Sequence, residues 1–302
     1  MVKNTFKNKN KAIVLSAAGM IVLILIIVSA CADRPGRAIR VMSYNIRYDN
    51  PDDGENAWIH RRDAVASMIR FHKADVVGVQ EALAHQIDDL ATRLPGFDWF
   101  GIGRDDGKAE GEFTAVFYRL HRLRSEDRST FWLSETPDRP GLGWDAACNR
   151  TVTWSRFVDV STRKSFFFFN THFDHRGQRA RVESAHLLLS KIDALAPEDT
   201  PVVITGDFNC TTDSEPYEIL TRGESEEETR TYYDARRISG IGHHGPTGTF
   251  TGFDIQAVTG QPIDYIFVSR EWQVRFHGTL SDIFDGRFPS DHMPVLAEIF
   301  LK

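Results

Sequence analysis

The strongest constraint on the fold of this chain is the way its short apolar runs end. Val76 to Val79 and Val202 to Thr205 are rich in β-branched residues and too short for self-contained helices, so they read as buried strands. Ile39 to Ile46, Thr114 to Tyr118, Arg128 to Leu133, Val152 to Val160, Phe166 to Thr171, Ile263 to Val268, Trp272 to Leu280 and Val295 to Leu301 read the same way. Helical spacing lies between them. Ala64, Val65, Met68 and Ile69 form one face, and Ile87, Leu90, Ala91 and Leu94 another that Pro95-Gly96 stops. A third helix, from about Gly177 to Leu195, turns Val182, Ala185, Leu188, Leu189, Ile192 and Leu195 inward, with Pro197 beyond it. Mixed strands with few interleaved helices imply an α/β fold of sheets covered by helices on their outer faces.

With 302 residues and 41% hydrophobic content the chain can bury a sizeable core, which excludes disorder and collagen-like repetition. Three cysteines exclude a disulfide scaffold. No linker or fixed-period repeat interrupts residues 39–302, so one domain is expected there. The start of the chain differs. Lys3, Lys7, Lys9 and Lys11 precede Ala12 to Ala30, nineteen residues without a charge, and this reads as a targeting segment. Val28-Ser29-Ala30-Cys31 resembles the lipobox of bacterial lipoproteins, which implies cleavage before Cys31 and lipidation of its thiol. An uncleaved membrane anchor is the alternative, since nineteen apolar residues nearly span a bilayer. Either way the expectation is an extracytoplasmic protein tethered to the cell envelope, with residues 1–30 as signal or anchor and 31–38 as a short tether. Removing the four lysines leaves 32 basic against 42 acidic side chains, a net charge near −10. Gly223 to Thr231, with Glu224, Glu226, Glu227 and Glu228, reads as a solvated acidic insertion.

Chemistry gathers where the strands stop, as it does in layered α/β proteins. The segments are Met42-Ser43-Tyr44-Asn45-Ile46, Val79-Gln80-Glu81, Asn170-Thr171-His172-Phe173-Asp174-His175, Thr205-Gly206-Asp207-Phe208-Asn209, and the late pair Ile263-Asp264-Tyr265-Ile266 and Ser290-Asp291-His292-Met293-Pro294-Val295. Singly, each has an ordinary explanation: Asn45 a turn residue, Glu81 a helix N-terminal acid, Asp207 and Asn209 turn caps, His172 a hydrogen-bonded histidine. Asp264 is harder to dismiss, because a carboxylate inside a buried strand needs partners. Together, Asn45, Glu81, Asp207, Asn209 and Asp291 form an oxygen-only set suited to magnesium or manganese. His172 and His292 add groups that titrate near neutrality. A hard cation, carboxylates and histidines fit hydrolysis of a phosphate ester.

In this order the motifs resemble the endonuclease/exonuclease/phosphatase superfamily, the deoxyribonuclease I-like enzymes, across residues 39–302. The resemblance implies a four-layer sandwich of two packed mixed β-sheets flanked by helices, with the site where the sheets' loops meet. Gly143-Trp144-Asp145-Ala146-Ala147 leading into Arg150-Thr151-Val152-Thr153-Trp154 is similar to an uncharacterised bacterial branch. The resemblance makes Glu81 the principal metal ligand, with Asn45 beside it and Asp291 a further ligand. It places Asp207 on the attacking water and Asn209 on the phosphate or nucleophile. His292, fixed by Asp264, becomes a base or an electrostatic clamp, and His172 reaches the leaving oxygen. Arg150 falls where a phosphate-contacting arginine stands, with a surface arginine as its other reading, and His175 is a secondary substrate contact. His243 to Thr249 could line the pocket mouth or be a glycine-rich loop. Whether Cys148 and Cys210 pair stays open.

The expected activity is therefore magnesium- or manganese-dependent hydrolysis of a phosphorylated small-molecule, lipid-linked or nucleotide substrate by a monomer. An extracytoplasmic nuclease is the alternative, for which Arg61, Arg62, Arg163, Lys164, Arg176, Arg179 and Arg181 could supply a basic patch. The acidic balance disfavours a long nucleic acid. A non-catalytic protein that binds a phosphate ligand is an alternative of another class.

Overall fold

Strand β1 (Ile39–Asn45) lies between β13 (Val295–Leu301), antiparallel to it, and β2 (Val76–Gln80), parallel to it. The computed structural model describes residues 38–221, 231–256 and 260–302. The expected leader, Cys31 and the clustered glutamates from Glu224 to Glu228 lie outside the described residues. Among the described residues no helix is long and apolar enough to cross a membrane.

The first sheet is completed by β3 (Phe97–Phe100), β4 (Val116–Arg119), β10 (His243–His244) and β12 (Trp272–Thr279), in the order β10-β12-β13-β1-β2-β4-β3. The second contains β5 (Leu123–Trp132), β6 (Thr151–Asp159), β7 (Ser165–His172), β8 (Val202–Asp207), β9 (Tyr232–Asp234) and β11 (Asp264–Ser269), in the order β5-β6-β7-β8-β11-β9. Helices α1 (Trp58–Phe71) and α2 (Ala84–Arg93) cover the outside of the first sheet. Helices α3 (Gln178–Leu195) and α4 (Glu215–Thr221) cover the outside of the second. The layers are helix, sheet, sheet, helix, as expected.

Both sheets are covered on both faces, which is why their central strands are apolar throughout. The period-2 alternation of a strand decides which side each residue serves. In β7, Phe166 and Phe168 enter the layer between the sheets, while Phe167 and Phe169 pack under α3. In β1, Ile39 and Val41 point between the sheets and Met42 and Tyr44 toward α1 and α2.

Near one end the inter-sheet layer turns polar. Asn170, fully buried on β7, donates from Nδ2 to the carbonyls of Val79 (2.9 Å) and Ala115 (3.0 Å) in the opposite sheet. Its Oδ1 accepts from Gln80 Nε2 at 2.6 Å and from Thr205 Oγ1 at 3.1 Å. The close approach needs a glycine opposite, since a Cβ on Gly78 would lie 2.3 Å from both Asn170 Oδ1 and Thr205 Oγ1.

Sequence reading placed the long elements within a few residues. It did not find β3, β9, β10, the 3-10 turn Pro51–Asn56 or α4, and it began β5 at Arg128 where the strand starts at Leu123. These elements are short, or polar on an exposed face, so periodicity says little about them. The pairing left open for Cys148 and Cys210 does not form: both thiols are free. Cys210 is buried with the core under α3 and α4, and Cys148 lies beside the Asp174 carboxylate.

The bridge carries a prediction. Asn170→Ala strands buried partners in both sheets and Gly78→Ala forces the sheets apart. Each should cost about 3 kcal/mol or more, read from urea unfolding. A loss under about 1 kcal/mol for both would show that the bridge is dispensable.

Candidate active site

The apolar inner faces of four strands become functional side chains at one end of the molecule. Asn45 ends β1, His172 ends β7, Asp207 ends β8 and Asp264 begins β11, all on the inter-sheet side and all buried. Pairing fixes three of them directly, since Asp207 is opposite His172 in one register and opposite Asp264 in the other.

Just past the strands, Arg47, Glu81 and Asn209 take φ values of 59°, 66° and 47°. This left-handed conformation costs a non-glycine residue about 1 kcal/mol. It turns the chain at the strand ends, and at Glu81 and Asn209 it falls on residues of the site itself.

Two histidines converge on Asp207. His292 Nδ1 stands 2.9 Å from Asp264 Oδ2, while its Nε2 lies 3.7 Å from Asp207 Oδ2. His172 Nε2 approaches the same Asp207 oxygen from the other side at 3.5 Å. Asn45 Nδ2 donates to Glu81 Oε1 (2.9 Å) and to Asp207 Oδ2 (3.0 Å), and the Tyr48 N–H donates to Glu81 Oε2. In this orientation the Asn45 amide ties two carboxylates together, and its Oδ1 accepts from the Arg47 N–H. Asn209 donates its N–H to Asp207 Oδ1 and its Nδ2 to the Phe173 carbonyl. Asp291 lies 3.8 Å from Arg47 Nε and accepts from Ser290 Oγ, which also donates to the Asn45 carbonyl.

The environments drive the two rings apart. Burial opposes a charge on His292, but Asp264 and Asp207 outweigh it and hold its pKa well above the ordinary value. Burial, with Arg150, Arg104 and His292 nearby, pushes His172 well below it. One ring is held as a cation and the other neutral, a division that assigns different chemical roles. The carboxyls shift upward. Burial and Asp264 lift Asp207 to about 7, and burial, opposed by Arg104 and reinforced by Glu81, lifts Glu112 to about 7. Asp291 is raised by burial and by Glu81.

Mutually repelling carboxyls in a buried cluster are what a divalent cation relieves. Glu81, His172 and Asp207 bring ligand atoms within 4.8 Å of one another, as do Asp207, Asp264 and His292. Asp291, expected as a further ligand, belongs to neither group, and the carboxylate oxygens of Glu81 and Asp207 are what fit a hard cation here.

Arg150 is not the surface arginine of its alternative reading. It is buried, with Nε 3.4 Å from Asp174 and Nη2 2.9 Å from His175 Nδ1. Its Nη1 is buried without a partner among the described residues, an unmet donor that an anion's oxygen would satisfy. Asp174 is a structural hub. Burial raises its pKa, but the N–H groups of Gly177, Arg176 and Ala147 prevail and hold it at about 2. His243 is at a sheet edge, with Nδ1 3.0 Å from His277 Nδ1, but Thr249 reaches the site through the N–H groups of Ile263 and Asp264.

Sequence reading missed Glu112 and Arg104. Glu112 Oε2 lies 3.9 Å from His172 Nδ1 and accepts from Arg104 Nη1 at 2.6 Å. Glu112 does carry a signal in the chain: it is an acid immediately before the buried Phe113 to Tyr118 run, at the start of an apolar stretch and not at its end. The basic patch does not assemble as a whole: Arg176 and Arg179 are exposed just after His175, where α3 begins, but the other five are dispersed or engaged. Arg61 is buried and donates to the Ile46 and Arg47 carbonyls, and Arg62 pairs with Asp89. Arg181 holds the Asp174 carbonyl, and Arg163 and Lys164 sit in the β6–β7 turn at the opposite end.

Fold and site together define a protein of the deoxyribonuclease I-like class, whose members include hydrolases of phosphate esters. The chain belongs to the endonuclease/exonuclease/phosphatase family, whose model matches residues 42–292; the family generally depends on a divalent metal. A family protein from Bacteroides vulgatus is 41% identical, with a TM-score of 0.82 over 88% of this chain and 99% of that one. The mannosyl-6-phosphatase Bt3783 of Bacteroides thetaiotaomicron is 37% identical, with a TM-score of 0.82 over 87% of this chain and all of that one. Uncharacterized protein L388 of Acanthamoeba polyphaga mimivirus is 24% identical over 251 residues, 79% of this chain and 91% of that protein.

A cation binding here competes with protons on Asp207 and Glu112, so its affinity should rise as pH passes upward through about 7. Titration calorimetry with magnesium in buffers of different ionisation enthalpy should show proton release at about pH 6 that fades by about pH 8.5. Heats independent of the buffer at the lower pH would contradict the carboxyl shifts.

Proposed function

We propose that this chain is a magnesium- or manganese-dependent phosphatase of small phosphorylated molecules, sugar phosphates foremost, held at the outer side of a cell membrane by its N-terminal segment. The observation that carries the catalytic reading is the convergence of a cationic His292 and a neutral His172 on one Asp207 oxygen, beside the Glu81 carboxylate. The sugar phosphate comes from the likeness to the mannosyl-6-phosphatase, and the membrane from the lysines and uncharged run before Cys31.

The roles follow from position. Glu81 would hold a divalent ion, with Asp207 beside it and Asn45 and Asp291 as the further ligands that the family resemblance implies, and the ion would supply Lewis-acid charge. Asp207 accepts a proton from the attacking water, and the Asn209 N–H steadies that carboxylate. His292, fixed at Nδ1 by Asp264, offers its Nε2–H to charge developing on the phosphate. Arg150 directs its unpaired Nη1 at a phosphate oxygen and is itself oriented by Asp174. His172, neutral, donates one ring N–H toward the leaving oxygen.

The dispersal of the basic residues favours a small substrate over a polynucleotide, which needs a continuous track of cations. Asp207→Ala and His292→Ala should each lower turnover several hundredfold, on the order of 3 to 4 kcal/mol, and chelation should abolish it. The assay is phosphate release from a panel of sugar phosphates, nucleotides, a chromogenic diester and a single-stranded oligonucleotide, with magnesium or manganese. Near-normal turnover by both variants overturns the catalytic assignment. Efficient, salt-sensitive cleavage of the oligonucleotide would make the protein a nuclease, and binding without turnover of any ester would leave a phosphate-binding protein.

A further inference from the structure

Beside the charged histidine stands an aromatic ring that none of the chemistry above uses. Phe250 pairs with His292 across an isolated antiparallel bridge, their ring centroids 5.0 Å apart at an interplanar angle of 63°. Phe250 is 49% exposed, although both neighbours are buried and tied down. Thr249 accepts the Met293 N–H at its carbonyl (2.7 Å) and the Ile263 and Asp264 N–H groups at its Oγ1 (3.1 and 3.2 Å). Thr251 donates its N–H and its hydroxyl to the Asp291 carbonyl, at 2.7 and 3.1 Å.

A lone exposed phenylalanine is ordinary on a protein surface and by itself indicates nothing. This one is flanked on both sides by hydrogen bonds to the same segments that carry Asp264, Asp291 and His292, so its backbone is fixed beside the reacting centre. With His292 on the phosphate, as proposed, the half-exposed ring stands 5.0 Å from the phosphate-binding imidazole. A flat apolar surface fixed there costs little conformational entropy on binding and suits the face of another ring.

We infer that Phe250 is a specificity-determining platform on which the cyclic organic part of the substrate lies while its phosphate is held by Arg150 and His292. The inference rests on the phosphatase reading for the position of the phosphate and adds the class of leaving group: a ring, whether the C–H face of a pyranose or a nucleobase, in preference to an open chain. His175, exposed beside Arg150, is a second group that could meet the ring's hydroxyls. Its Nδ1 faces the Arg150 Nη2–H, which fixes the tautomer so that Nε2–H is left to meet a hydroxyl.

The test compares Phe250→Ala and Phe250→Trp with the parent, as full chains, on hexose 6-phosphate, a nucleoside 5′-monophosphate and glycerol 3-phosphate. Both turnover with manganese and calorimetric binding with calcium are read. Phe250→Ala should lower kcat/KM on one or both cyclic esters about tenfold, chiefly through KM, and leave glycerol 3-phosphate within about twofold. Phe250→Trp should retain the preference for rings. Which cyclic ester suffers identifies the pyranose or the base. An equal loss on all three, with a displaced pH profile, would show that Phe250 merely supports His292, and no loss on any would remove it from the site; either outcome overturns the inference. Preferential binding of a cyclic ester, lost in Phe250→Ala, sustains the platform even if no ester is turned over, in which case the phosphatase reading alone fails.

Discussion

The site depends on two sheets being held at a fixed spacing where their strands end, and the Asn170 amide is what holds them. Its four hydrogen bonds reach Val79 and Ala115 on one side and Gln80 and Thr205 around it. Apolar contacts fill the rest of the inter-sheet layer, but they are non-directional and tolerate sliding. A buried amide with its donors and acceptor satisfied does not, because any displacement leaves polar groups unpaired in a low dielectric. Asn170 is two residues before His172 and Thr205 two before Asp207, on the same strand face. The β7–β8 register aligns those two side chains, and the bridge ties the sheet that carries them to the one that carries Asn45.

This arrangement explains what the sequence disclosed and what it withheld. The apolar residues of Phe166 to Phe169 and of Ile39 to Tyr44 encode burial on both faces, so strands and their helical cover could be read directly, while the packing of two sheets into four layers came from the family resemblance. Glu81, His172, Asp207, Asp264 and His292 stood out because each interrupts or ends an apolar run. Their roles as a metal ligand or a base came from the family resemblance, since no spacing in the chain states that Asp207 faces two histidines. Glu112 and Phe250 were missed for opposite reasons. Glu112 sits before its strand, whereas Phe250 resembles any other aromatic in the chain, and only the clamped threonines on either side of it set it apart. Arg61 shows the converse, a residue that read as a surface cation and is instead buried among carbonyl oxygens.

Charge is distributed unevenly within the site itself. Asp264 pairs with His292, whereas Asp207 is shared by both histidines and by Asn45 and Asn209. The result is a graded set of groups in a small volume: a cationic ring, a neutral ring, and a carboxyl balanced near neutral pH. Left-handed backbone at Glu81 and Asn209 is the conformational cost of bringing them together.

Strand β1 has a further consequence. It begins where the Arg122 guanidinium binds the Ala38 carbonyl and ends at Asn45 in the site. At roughly 3.3 Å per residue it carries the chain about 20 Å through the body of the protein before any reacting group appears. The doorway and the workshop thus lie at opposite ends of one strand. A chain begun at Ala38 would therefore keep the whole length of β1 between its new amino terminus and the reacting groups, so trimming to that point leaves the working end of the strand untouched.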